Sequence, residues 1–528
     1  MIRRSGIQPP RPLIVAAVVS ACLALIPLGY LIIRVASAGP EKILNSLLRT
    51  RTWETTATSL ALMVVVVVGS LIIAIPSAAV LTRTNIRGKR LWLTALALPL
   101  AIPSYVAAYA WLAQFPAMNG FWAAALILTL VSYPYILLPV AATLRSTDPA
   151  IEEVARSLGR SPFAAFRSAT LPQAIPAAAA GSLLVALYVL SDFGAVSLFR
   201  VDAFTRVIFA SYRASFDRTS AAVLASILVL LALVLVFAER KLRGKSLQYR
   251  VATGTQRQAL LHQLSLRAKT SATLFFTAIV VLAIAIPVVS LVLRLSEGSR
   301  RPLDALELLQ ATLNSTGAAA AGALIAVLVA LPIGLLSARF RSPWSTATES
   351  AAFAGHALPG VVIGLSLVFL TVNAVPVLYQ TLFTLAFAYA VLFLPKSIGA
   401  TRTSVAAVPP ILEQTARTLG KKPLSAWSST TLRLAWPGIA AGGLLVLLTA
   451  MKELPATLML RPTGFDTLAT ELWSRTEVAA YGAAAPYALA LIALAAVPAF
   501  ALSTAMSRGS TQSNANQSRP ELVDTVNP

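Results

Sequence analysis

Charge is scarce in this chain. Asp, Glu, Lys and Arg make up 12% of its 528 residues, against 57% hydrophobic. A soluble domain carries roughly a quarter charged residues, so the composition excludes a soluble globular protein and points to an integral membrane protein with the lipid bilayer as its solvent. Acidic side chains are scarcest, 20 against 43 Lys+Arg. The net charge of +23 is compatible with nucleic-acid binding, but the basic residues cluster at the ends of apolar runs without an aromatic-basic platform. No nucleic-acid partner is expected, and the charge is read as orienting the chain in the membrane. Soft metal ligands are nearly missing too. Cys22 is the only cysteine and His262 and His356 the only histidines, which excludes disulfides within the chain and a Cys/His metal cluster. Cys22 is expected as a small buried side chain, and His356, beside Gly355, in a packing or hydrogen-bond role. A nucleotide site is lacking as well. "GKS" at 244–246 ends like a phosphate loop, but Glu239 stands where the earlier glycine is required and a membrane helix precedes it. No cofactor is expected on this chain.

What is present is a series of long apolar runs, at 13–34, 59–82, 91–113, 121–144, 173–199, 220–238, 271–293, 314–337, 351–372, 376–400, 437–460 and 481–506. Each is near the ~20 residues that cross a hydrocarbon core, and runs this long are helices rather than barrel strands. The expected fold is all-α with twelve transmembrane helices. The first run is too long for a usual signal-peptide core and is read as an uncleaved span. With both termini cytoplasmic, the cytoplasmic segments hold most of the Lys+Arg, as the positive-inside bias requires. The chain then divides into a first span and outer loop (1–58), a first repeat core (59–240), a basic cytoplasmic linker (241–270), a second repeat (271–506) and a polar, disordered tail (507–528).

The halves repeat. At an offset of 261, Glu152 pairs with Glu413, Gly159 with Gly420, Pro162 with Pro423, Pro176 with Pro437, Gly181 with Gly442, Asp192 with Glu453 and Arg200 with Arg461. At an offset of 256, Pro76 pairs with Pro332, Arg83 with Arg339 and Pro103 with Pro359. Six spans per repeat make the two halves parallel, with a pathway between them. The four paired mid-span prolines are candidate kinks or hinges. Two matching polar loops, "ARSLGRSP" at 155–162 and "ARTLGKKP" at 416–423, face one compartment. Each reads as a short helix closed by a left-handed glycine, and the first restarts with Ser161 as cap and Pro162 as first residue. Ala155 and Leu158 give the first helix a small apolar face suited to a groove in a soluble partner.

The spacing Glu153, Ala155, Gly159 and "TLP" at 170–172 resembles the cytoplasmic loop motif of ABC importer permeases of the type I fold. Val154 and Ala169 depart from that motif, and the second copy departs further, with Gln414, Thr415, Ala416, Leu419, Gly420 and Arg433. The strings "SDFGAVSLFRVDAFT" at 191–205, "KELPATLMLRP" at 452–462 and "YPYILLPVAATLRS" at 133–146 are similar to those of fused tandem iron(III) importer permeases. Thiamine importer permeases share the tandem architecture. The resemblance implies a transport subunit that is not itself an enzyme, lies in the cell inner membrane, receives ferric iron from an external binding protein and is driven by two ATPase subunits. An ion-gradient-driven transporter is the alternative of another class, although it needs no paired docking loops. For Asp192 and Glu453 two readings stand. They are hard oxygen ligands along an iron pathway, or Lys452 neutralises one and each caps a broken helix end.

Overall fold

Peptide groups in hydrocarbon have no water to bond, so an apolar run crosses a membrane only by closing its own hydrogen bonds. The computed structural model describes residues 9–148, 150–213, 218–246, 261–296, 304–356 and 358–494, and it builds these runs as helices. Among the described residues nine helices are long and apolar enough to cross without a break: Arg11–Ala36, Thr50–Arg83, Gly120–Ser146, Pro162–Ser191, Thr219–Ala238, Leu266–Ser296, Ala305–Arg339, Leu382–Ala407 and Pro423–Ala450. Spans three and nine are each broken, Lys89–Ala101 with Ser104–Gln114 at 92°, and Pro343–Gly355 with Gly360–Asn373 at 94°. The twelfth run opens as Tyr481–Leu494 and continues beyond the described residues. The polar tail at 507–528 and linker residues 247–260 also lie outside them, as does the His356 side chain.

Proline explains where spans three and nine break. Pro103 and Pro359 sit directly before the second segments, where a missing N–H costs nothing. Pro76 and Pro332, by contrast, stay inside continuous helices. Spans five and eleven end at Ser191 and Ala450, short of the 199 and 460 expected from hydropathy, and resume as the short helices Gly194–Leu198 and Pro455–Leu460. Each short helix packs against the second segment of its repeat's broken span.

The first span of each repeat crosses to the other half. Arg11–Ala36 packs on Ala305–Arg339, Pro343–His356 and Gly360–Asn373, burying Ala17, Ala21 and Ala24 with Ala330 and Ile333. Leu266–Ser296 packs on the first half, where the Ser290 hydroxyl donates to the Ala110 carbonyl at 2.7 Å and Arg294 to that of Ala113. Because Ala17, Ala21 and Ala24 form the packed face of the first span, Cys22 is exposed on another side, not buried as expected. Small residues also bring the spans within each half close together. A Cβ on Gly181 would lie 2.8 Å from the backbone of Tyr135 and Ile136, and one on its equivalent Gly442 2.5 Å from Ala400 Cβ.

Candidate docking loops and translocation pathway

The two polar loops fold alike. Helices Ala150–Ser157 and Pro410–Thr418 both close on a glycine at φ +84°, a conformation that costs a residue with a Cβ. In the first, Gly159 N–H donates to Arg156 O at 3.0 Å and Arg160 N–H to Ala155 O at 3.2 Å. In the second, Gly420 N–H donates to Arg417 O and Lys421 N–H to Ala416 O, both at 3.1 Å. This double closure satisfies the last helical carbonyls. Ser161 Oγ then accepts from Ala164 N, with Pro162 in the first helical position, as expected. Six crossings separate the loops, so they emerge on one side.

Their outward faces match. Leu158 is 78% exposed and its equivalent Leu419 79%. Phe163 and Leu424 are exposed likewise, as are Ile151 and Leu412. Ala416 is buried, Ala155 and Glu153 are half-buried and Gln414 is exposed. The apolar face is therefore carried by the leucines and their neighbours, with the alanines turned toward the chain's own helices. The face drawn from Ala155 and Leu158 assumed the i, i+3 alignment of a continuous helix, but helix Ala150–Ser157 ends before Leu158, which stands in the closing turn and projects outward from there.

Each docking helix is tied to the span that follows by a carboxylate and a threonine. Thr170 Oγ1 donates to the buried Glu152 at 2.6 Å, and Thr431 Oγ1 to Glu413 at 3.1 Å. Both threonines lie in widened helical turns, Thr170 as the last residue of Phe166–Thr170 and Thr431 as the next to last of Ser428–Leu432. The first copy has an extra tie, because His262 Nε2 lies 2.7 Å from Glu152. The histidine is held there by a single β-bridge, donating its N–H to Arg83 O at 2.8 Å and accepting from Asn85 N at 3.2 Å. In the second copy Arg339 donates to Val408 O at 3.0 Å and to Thr431 Oγ1 at 3.3 Å. The sequence named His262 among the two histidines and Thr170 within "TLP", but assigned neither a role as a tie to Glu152. The repeat register carried the signal for the threonine, since Thr170 and Thr431 also stand 261 apart.

Asp192 and Glu453 turn out to be helix caps. Asp192 Oδ1 accepts from Ala195 N at 3.0 Å and Val196 N at 3.3 Å, while Oδ2 accepts from the Ser104 hydroxyl. Glu453 Oε1 accepts from Ala456 N at 2.9 Å, and Oε2 from Thr457 N at 2.9 Å and the Thr457 hydroxyl at 2.8 Å. Both carboxylates are buried and fully engaged with the short helices that re-enter after the breaks. Neither is left to face a pathway as a free ligand, and no group of three His, Cys, Asp or Glu suited to a metal occurs among the described residues. Lys452 does not neutralise either of them. Its ammonium crosses to the first half and donates to the Ala101 carbonyl at 3.0 Å, at the break in span three. On the opposite side of the membrane from the docking loops, a cavity of about 240 Å³ lies between the halves, walled by Tyr212, Arg213, Tyr379, Arg461 and Glu477 among others. "GKS" at 244–246 is the last turn of helix Arg218–Ser246, the wrong backbone for a phosphate loop.

Comparison with known proteins agrees with this geometry. Residues 70–245 and 330–508 match the family described as binding-protein-dependent transport system inner membrane component. Over 94% of its length the chain is 35% identical to the Fe(3+)-transport system permease protein FbpB 2 of Haemophilus influenzae, covering 98% of that protein. Shorter likenesses reach the sulfate permease CysT of Salmonella typhimurium (28% identity, 31% of this chain, 67% of that protein) and the molybdate/tungstate permease WtpB of Thermococcus kodakarensis (33%, 29% and 60%). With two copies of the domain, apolar helices throughout and a relative matched end to end, the chain belongs to the binding-protein-dependent transport system inner membrane component family and is a multi-pass, fused tandem permease of an ABC importer.

Proposed function

We propose that this permease carries ferric iron into the cell, received from an external binding protein and driven by two ATPase subunits, one on each docking helix. ATP is hydrolysed on those partners, and both termini lie on the cytoplasmic side with the docking helices. The observation that carries the coupling is the matched pair of exposed apolar faces at Leu158 with Phe163 and Leu419 with Leu424, standing on one side on helices tied to spans five and eleven. A push on either helix is transmitted through Glu152–Thr170 or Glu413–Thr431 to a span that ends at a mid-membrane break. ATP and the loaded binding protein then bias the equilibrium between the two faces of the pathway. Iron is favoured as cargo because the likeness to an Fe(3+) permease runs the length of the chain, whereas the sulfate and molybdate relatives match about a third of it. Membership of a binding-protein-dependent family removes the gradient-driven alternative.

Uptake of radiolabelled ferric iron, with labelled thiamine in parallel, tests the assignment in cells that lack and regain this chain with its cognate ATPase. Iron uptake that returns with the chain and falls at least about tenfold in Leu158→Asp plus Leu419→Asp supports both cargo and docking. Thiamine uptake in its place removes the iron assignment, and uptake indifferent to both leucines removes the docking faces.

A further inference from the structure

Two lysines of the second half stand around one turn of span eleven, and one of them reaches across the seam to the first half. Lys396, midway along span ten, is exposed and donates from Nζ to Thr449 Oγ1 at 2.7 Å, with Phe393's ring centroid 5.2 Å away. Thr449 and Lys452 lie three residues apart at the end of span eleven, where Lys452 N–H donates to Thr449 O at 3.2 Å. Lys452 Nζ in turn reaches Ala101 O across the seam at 3.0 Å. The two ammonium groups therefore flank one turn of helix, beside the break in span three. Among the described residues neither has a carboxylate within ion-pair distance, and the nearest in sequence, Glu453, is spent on Ala456 and Thr457.

Two unneutralised cations at membrane depth are costly unless they face water or a charged cargo. Packing does not require them. At the 261 offset, Lys396, Thr449 and Lys452 replace Tyr135, Tyr188 and Ser191, and in the first half Tyr135 and Tyr188 pack ring against ring at 5.7 Å between centroids. The repeat frame thus accommodates neutral residues at all three positions, and the second half carries positive charge at two of them instead. A bare trivalent cation would be repelled at this point and, among the described residues, would find no free carboxylate beside the two lysines.

We propose that Lys396 and Lys452 form an anion-selective station, and that iron passes it as a complex whose hard oxyanion ligands leave it with net negative charge. This rests on the iron reading above and names the species that is moved. The ammonium groups supply attraction without coordination. They contact the ligand shell and leave the metal untouched, so the complex binds weakly enough to move on.

The test uses the full complex of permease, ATPase and binding protein in proteoliposomes, with radiolabelled ferric iron supplied as its citrate and as its phosphate complex to load the binding protein. Lys396→Met and Lys452→Met should each lower iron uptake on the order of tenfold, with their product in the double variant, while Lys396→Arg and Lys452→Arg recover most of it. Membrane abundance and melting temperature are measured alongside, and the expected loss occurs in variants that match the parent in both. Uptake unchanged or raised by the Met variants, or not recovered by Arg in a protein of parental stability, overturns the anionic station and leaves the iron assignment standing. Absence of iron uptake in the unmodified complex overturns the iron assignment, and this inference with it.

Discussion

Asp192→Asn and Glu453→Gln separate capping from cargo binding, because the two carboxylates divide their hydrogen bonds differently. At position 192 a single oxygen, Oδ1, accepts both backbone N–H groups, and Oδ2 takes only the Ser104 hydroxyl. Asparagine keeps that oxygen and turns its amide toward Ser104 Oγ, which accepts as readily as it donates. The expected cost is below about 1 kcal/mol. At position 453 the two backbone donors are split, Ala456 N to Oε1 and Thr457 N to Oε2. Glutamine has one oxygen, so one buried backbone N–H meets an amide N–H and goes unpaired, at about 1–3 kcal/mol. Alanine at either position removes the cap and exceeds its amide counterpart. Thermal unfolding of the purified permease should thus rank Asp192→Asn nearest the parent, Glu453→Gln below it and the alanines lowest, with ATP-driven uptake kept in Asp192→Asn. An Asp192→Asn variant that melts like the parent yet no longer transports would refute the reasoning, because the negative charge itself would then serve the cargo.

Two further outcomes follow from comparing the repeats. Ser104 and Gly360 are equivalent at the 256 offset, and a Cβ on Gly360 would lie 2.5 Å from Glu453 Oε1; the halves have exchanged a short acid bonded to a serine at this position for a long acid that fills the space over a glycine and takes its hydroxyl from Thr457 instead. Asp192→Glu alone should overfill its site at about 1–3 kcal/mol, and adding Ser104→Gly should recover most of that in a double-mutant cycle on melting temperature; strictly additive losses would refute the exchange. His262→Ala removes the extra tie on Glu152, so backbone hydrogen exchange should quicken in 150–157 with 410–418 as the internal reference, and equal rates in both would show that the histidine holds nothing.

The membrane helices were legible because hydropathy alone decides which residues leave water, and the repeat was legible because paired prolines, glycines and loops survive at fixed offsets. The sharp breaks were half legible. Pro103 and Pro359 marked the places, but the flanking sequence stays apolar through both turns, so hydropathy reads one span where the chain makes two segments. The crossing of the first span to the opposite half could not be read, since a helix that is apolar on all sides carries no periodicity to name its partner. The half-burial of Ala155 and the burial of Ala416 were missed for a related reason. The motif that marks a docking loop contains residues that hold the loop to its own protein as well as those that face outward.

The acids show how adjacency in sequence misleads. Lys452 precedes Glu453, which suggested a neutral pair, yet residues one apart at a helix end project in different directions. The carboxylate turns down onto the N–H groups of the next helix and the ammonium crosses to the first half. Capping was readable in principle, because each acid stands two residues before the start of a short helix. The lysines themselves were readable only by subtraction. Matching residues between repeats reveal what the frame needs, namely caps, closures and close helix crossings. Where the frame is kept and the chemistry changes, as from Tyr135, Tyr188 and Ser191 to Lys396, Thr449 and Lys452, the difference is not required by folding. A symmetric scaffold with an asymmetric pathway is therefore best questioned at the positions where its repeats disagree.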